Sequence, residues 1–211
     1  MRIRWLGHAC FLIETEQGRV VTDPFDPSVG YPAPKVAADV VTVSHSHYDH
    51  SAVENVKGNP VVVNTSGLSE VGGIKIKGIR TFHDKKEGKL RGQNLVFVLE
   101  AEGLRVAHLG DLGHLLDSDQ KAELGEIDIL LIPVGGTYTI DAEEAYKLAG
   151  DVKAKVVIPM HYKTPHCAID IGPVERFTQY YPEVVKMPYL EVNRTNLRDL
   201  PGVVVLDYQQ G

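Results

Sequence analysis

Apolar and polar residues alternate through much of this chain, and a period of two is the mark of strands that bury one face. Read on that pattern, strands are expected over residues 3–6, 10–14, 19–22, 40–43, 61–64, 74–82, 95–100, 104–108, 127–132, 156–160 and 203–206. Helices are fewer. Asp117-Ser-Asp-Gln120 and Asp141-Ala-Glu-Glu144 each set an Asp three residues ahead of a Gln or Glu, which is a capping-box pattern. One helix is therefore expected to run from Asp117 to a stop at Gly125, and another from Asp141 to a stop at Gly150. A third is expected over 173–180, and a short one over 51–56. Many strands first, then strand and helix in alternation, fits an α/β class with two packed sheets and helices outside them.

Composition narrows this picture without changing it. A chain of 211 residues supports one sizeable core and is short for two, so a single domain over 1–211 is expected. Hydrophobic residues make up 43% and charged residues 24%, ordinary for a globular protein, and nothing in the pattern asks for a membrane. The opening Met1-Arg-Ile-Arg-Trp-Leu-Gly-His8 reads better as a β-hairpin than as an export signal, because Gly7 and His8 interrupt the apolar run. A cytoplasmic location is expected on that ground. Cys10 and Cys167 are too far apart in sequence to form a CxxC zinc knuckle, and they suggest no disulfide scaffold.

The strongest chemistry lies in His45-Ser-His47-Tyr-Asp49-His50, directly after the apolar run Val40-Val-Thr-Val43. Three of the chain's nine histidines fall in those six positions. Neutral imidazole is the commonest side-chain metal donor and carboxylate oxygen its usual complement. In an extended segment, residues two apart point the same way, so His45 and His47 can grip one ion. A turn after Tyr48 then aims Asp49 and His50 at a second.

His-x-His-x-Asp-His after a short hydrophobic strand resembles the signature of the metallo-β-lactamase superfamily. Three further blocks fall in that family's order: Thr81-Phe-His83-Asp84, His108-Leu-Gly-Asp111 and Ile158-Pro-Met-His161. The resemblance implies a four-layer αββα sandwich holding two divalent metal ions, zinc first, with manganese or iron also suited to the donors. Carried over residue by residue, it implies His45, His47 and His83 on one ion, Asp49, His50 and His161 on the other, and Asp111 bridging. Trp5-Leu-Gly-His8-Ala, Asp23-Pro-Phe25, Pro133-Val-Gly-Gly-Thr-Tyr138-Thr and Met160-His-Tyr162 add a likeness to the small single-domain branch akin to ascorbate-6-phosphate lactonase. One block departs from the pattern. Many members carry Thr-Pro-Gly-His-Thr where this chain has Thr-Phe-His83-Asp, which leaves His108 as a competitor for the third imidazole. His83 is the expected ligand, and His108 a core group hydrogen-bonded to backbone.

A reaction class is implied as well. Two ions about 3.5–4 Å apart can share a water, lower its pKa toward about 7 and polarise the bond it attacks. The resemblance therefore implies a dinuclear hydrolase whose metal-bridging hydroxide attacks a small ester, lactone or phosphodiester. Asp49 would orient the nucleophile or pass its proton to the leaving group, with Asp111 as its catalytic companion. Asp23 and His8 are expected to support the metal loop, while Tyr138, Tyr162, His114 and His166 are candidates for substrate contact or proton donation. The formal charge of −6 argues against a nucleic-acid partner. Locally, seven Lys and Arg between residues 75 and 91 flank His83 and suggest a rim that draws an anionic substrate. A nuclease of the same fold and a mononuclear iron oxidoreductase are the competing readings. The oligomeric state is not written in the sequence.

Overall fold

The computed structural model describes residues 1–210. The chain opens with β1 (Arg2–Gly7), β2 (Cys10–Thr15), β3 (Gly18–Thr22), β4 (Val40–Thr42) and β5 (Val61–Val63). Next come β6 (Gly67–Val71), β7 (Ile74–Phe82), β8 (Gln93–Ala101) and β9 (Leu104–His108). From there strands and helices alternate: α1 (Ser118–Leu124), β10 (Ile129–Pro133), α2 (Ala142–Val152), β11 (Val156–Met160) and α3 (Glu175–Thr178). Three short strands, β12 (Val185–Met187), β13 (Leu190–Glu191) and β14 (Val204–Leu206), finish the chain.

The strands build two six-stranded mixed sheets, ordered β13-β1-β2-β3-β4-β5 and β11-β10-β9-β8-β7-β6, with β12 and β14 as a parallel pair beside them. In the first sheet β1, β2 and β3 run antiparallel and β3, β4 and β5 parallel. The second repeats the scheme, with β7, β8 and β9 antiparallel and β9, β10 and β11 parallel. The two halves of the molecule thus share one plan.

Alternation decides which core each residue of the first sheet joins. Ile3, Trp5, Phe11, Ile13, Val20 and Val40 belong to the large core shared with the second sheet. Their neighbours Leu6, Cys10, Leu12, Val21 and Val41 pack instead beneath Phe25, Val29, Tyr31 and Val36. That outer cover is loop and 3-10 turn rather than α-helix: the helix expected over 51–56 is a 3-10 turn at Val53–Asn55. β10 and β11 are buried along their whole length, as parallel strands with both faces covered must be.

Both capping boxes form, at Asp117 with Gln120 and at Asp141 with Glu144. α2 runs past Gly150 and ends where Lys153 adopts φ +55°, because the left-handed turn that closes a helix falls there and not at the glycine. The third helix is shorter than expected, holding only four residues. Among the described residues, no helix is long and apolar enough to cross a membrane.

Candidate metal centre

Five strand ends and one hairpin turn bring the site together. His45, His47, Asp49 and His50 follow β4, Asp23 follows β3, His83 follows β7, Asp111 lies just beyond β9, His161 follows β11, and His8 occupies the β1–β2 turn. Three of these junctions carry non-glycine residues with positive φ: His8 at 53°, Asp23 at 40° and His161 at 52°. Such backbone is costly for an L-residue and persists only where its surroundings impose it. Here the His161 N–H donates to the His8 carbonyl at 3.0 Å, and the same oxygen accepts from Trp5 Nε1 at 2.9 Å.

Asp111 lies at the middle of the cluster. Its Oδ2 is 3.2 Å from His83 Nε2 and 4.0 Å from His45 Nε2, while Oδ1 is 3.2 Å from His50 Nε2 and 3.3 Å from His161 Nε2. Asp49 Oδ2 lies 3.6 Å from His50 Nε2 and 3.2 Å from His8 Nε2. Donor atoms of His45, His47 and His83 fall within 4.8 Å of one another, as do those of His8, Asp49, His50 and His161, and those of His45, His50 and Asp111. Each of these sets could hold an ion.

Supporting groups determine which lone pairs face inward. Asp23 is fully buried and accepts from Ser44 N–H at 2.7 Å, Ser44 Oγ–H at 2.6 Å and His50 Nδ1–H at 2.8 Å. With its hydroxyl hydrogen given to Asp23, Ser44 Oγ accepts from His45 Nδ1 at 2.9 Å. One carboxylate thereby orients two imidazoles, the second through a hydroxyl, and leaves both Nε2 atoms aimed at the cluster. His8 Nε2 donates to Asp49 Oδ2, since an ionised carboxylate only accepts. Its neutral ring is therefore a brace for Asp49.

The two carboxylates of the cluster favour a cation. Burial pushes the Asp111 carboxyl up, yet His161 and His50 outweigh it and hold the group well below the usual range. Burial opposes ionisation of Asp49 as well, and His8 and His50 reverse it. Burial, aided by His50, lowers His45 to about 3, and burial with His161 lowers His8 to about 4, so both rings are neutral. His50 differs: burial would strip its proton, but Asp111 and Asp23 on its two nitrogens raise it well above the ordinary value. His45 Nε2, His50 Nε2 and Asp111 Oδ1 are all buried, and although His50 Nε2 lies 3.2 Å from Asp111 Oδ1, none of the three makes an aligned hydrogen bond. An orphan of that kind costs about 1–3 kcal/mol. Three in one pocket fit a divalent ion that would satisfy them together.

Other candidates fall elsewhere. His108 is buried with Nε2 on the Ala9 carbonyl at 2.7 Å and Nδ1 accepting from Gly110 N–H at 3.2 Å, so protein groups occupy both nitrogens. His114 is engaged the same way, by Phe82 N–H and the Leu115 carbonyl, and anchors the turn after β7 rather than standing free as an acid. Tyr162 is buried and stacks on Trp5 at 5.0 Å, a core position rather than a substrate contact. His166 packs against Tyr31 and Tyr208. Tyr138 is partly exposed beneath Arg91, whose guanidinium carbon is 5.3 Å from the ring centre.

Asn94 is a site residue that the sequence pattern did not single out. Buried at the head of β8, it accepts from Asp111 N–H at 2.9 Å and donates to Thr81 Oγ1 and the Leu109 carbonyl. An Asn beside Gln93 at the opening of an apolar run was the available signal. Asp84, beside His83, stood in the sequence pattern only as part of the His83 block, with no role of its own. It accepts backbone N–H groups from Lys86, Gly88, Leu90 and Arg91 and so organises the loop that follows.

The model of the beta-lactamase superfamily domain matches residues 2–161. The chain belongs to that superfamily. A metal-dependent hydrolase of Carboxydothermus hydrogenoformans is 32% identical over 204 residues, covering 82% of this chain and 89% of the relative. A metal-dependent hydrolase of Methanoregula boonei is 34% identical over 189 residues, covering 78% and 83%. The crystal structure of a Thermotoga maritima protein, described as a candidate Zn-dependent hydrolase of the metallo-β-lactamase superfamily, superposes with a TM-score of 0.82 at 47% identity over 97% of both chains. Superfamily membership agrees with the paired mixed sheets, their common plan and the donor cluster at the strand ends.

Proposed function

We propose that this superfamily member is a dinuclear metal hydrolase acting on a small, anionic ester, lactone or phosphodiester. One observation carries the reading: the Asp111 carboxylate presents one oxygen to His83 and His45 and the other to His50 and His161. A carboxylate with imidazoles on both oxygens is arranged to bridge two ions. His45, His47 and His83 would hold one of them, and Asp49, His50 and His161 the other. Zinc suits these donors first, and manganese or iron can replace it.

Two ions held there would acidify a shared water to near neutral pH and polarise the bond under attack. The protein's own residues supply the rest. With the ions bound, Asp23 would keep His50 directly, and His45 through Ser44, in the tautomer that offers Nε2. His8 holds Asp49 Oδ2 within reach of the cluster, so Asp49 is the carboxylate placed to take the proton of the attacking water and deliver it to the leaving group.

Metal removal tests this. Protein stripped with a chelator should lose hydrolysis of 4-nitrophenyl esters, lactones and bis(4-nitrophenyl) phosphate, and added zinc or manganese should restore it. Undiminished hydrolysis by the stripped protein would defeat the proposal.

A further inference from the structure

The basic segment around His83 resolves into two kinds of residue. Lys75 pairs with Glu100, Lys77 with Glu123, Lys85 with Glu144 and Lys89 with Glu87. Their charge is largely compensated. Lys86, Arg80 and Arg91 have no carboxylate within 4.0 Å among the described residues; Lys86 lies outside the open cleft of about 400 Å³ whose wall includes His45 and His47, whereas Arg80 and Arg91 both line it. That volume suits a small molecule.

Both guanidinium groups are held in place. Arg80 lies on β7, and its Nε–H donates to Ser66 Oγ at 3.0 Å. Arg91 ends the loop organised by Asp84, which takes its backbone N–H at 2.8 Å, and its side chain lies over the Tyr138 ring. These positions bracket His83 in sequence and share a cleft with the imidazoles after β4. A chain of net charge −6 repels anions at long range, so two arginines without ion pairs on the cleft wall shared with His45 and His47 form a local exception. The planar fork of arginine matches carboxylate and phosphate oxygens, two bonds at a time.

We infer that Arg80 and Arg91 form an oxyanion subsite that grips a phosphate or carboxylate of the substrate away from the bond being cleaved. This rests on the hydrolase reading and sharpens it. The substrate class is a small ester or lactone with an anionic tail, seated with that tail on the His45–His47 side of the centre.

Calorimetric titration of the metal-loaded protein with inorganic phosphate, and separately with acetate, tests the subsite without requiring turnover. Arg80→Gln and Arg91→Gln should each weaken phosphate binding about tenfold, the loss of one charged hydrogen-bonding partner. Arg91→Lys should recover part of that loss, whereas Lys89→Gln should change affinity less than twofold. Metal content should stay constant throughout. Tighter binding of phosphate than of acetate assigns the tail as a phosphate, and equal binding assigns any oxyanion. Wild-type phosphate affinity in both arginine variants would overturn the inference, as would a loss that follows metal content.

A kinetic pair separates this from the underlying reading. The kcat/KM ratio of 4-nitrophenyl hydrogen glutarate to 4-nitrophenyl butyrate should fall about tenfold in Arg91→Gln, chiefly through KM. If the loaded wild-type protein hydrolyses neither ester nor any phosphodiester, the hydrolase reading fails, while the phosphate titration still decides the subsite.

Discussion

At Gly110 the backbone takes φ +55°, and a Cβ there would lie 2.4 Å from Asn94 Oδ1 and 2.6 Å from Ser44 Cβ. The site therefore requires glycine twice over, for the turn and for the close approach that brings Asp111 beside the His45 loop. Gly110→Ala should lower stability by about 2–5 kcal/mol, combining left-handed strain with overpacking. Urea denaturation measures this, and a loss below about 1 kcal/mol would show that the contact relaxes easily. Asp23→Asn keeps the shape of the buried side chain but removes the charge that orients His50 and, through Ser44, His45. Metal affinity should fall about 10–100-fold, the usual cost of losing a support of this kind. Competition with a fluorescent chelator reads it directly, and an unchanged affinity would remove Asp23 from its supporting role. Asp23 was legible in the sequence as an acid at a strand end. The relay through Ser44 was not, because a serine before a ligand looks the same whether it caps a loop or passes a hydrogen bond.

Strands with one buried face were readable because a period of two survives in the residue types. β6 was not. Its Gly-Leu-Ser-Glu-Val run lies at the edge of the second sheet with Leu68 82% exposed, so no burial pattern was imposed on it. The two-residue β13 and three-residue β12 are too short to show any period. The loop between β7 and β8 was equally opaque, since Asp84 among lysines resembles a solvated turn. Only the fold shows that one carboxyl gathers four N–H groups from the next seven residues. Burial works against its ionisation, yet those N–H groups hold Asp84 at about 2. Asp84→Ala should release the loop, with amide exchange at Lys86, Gly88, Leu90 and Arg91 accelerated at least tenfold while β8 stays protected. Unaltered exchange at those four amides would mean that the loop is held by something other than Asp84.

Across the whole molecule, three antiparallel strands followed by two parallel additions occur once in each sheet, and the acid after β3 corresponds in position to the acid beyond β9. Asp23 became a support and Asp111 the centre of the cluster. The sequence hides this repeat because the halves share strand directions and not residues. The loop from His45 to His50, by contrast, was plain as a candidate, since six adjacent residues carry four of the cluster's possible donors. His83, Asp111 and His161 required the family pattern to be singled out, because a lone histidine or aspartate at a strand end has many ordinary uses. Asp111 is proposed to join two ions into one reactive centre. Elemental analysis of metal-saturated, dialysed wild-type protein beside Asp111→Ala tests it most directly. Two ions per chain are expected in the wild type and no more than one in the variant; saturation of the wild type at a single ion, or two ions retained without Asp111, would contradict the claim.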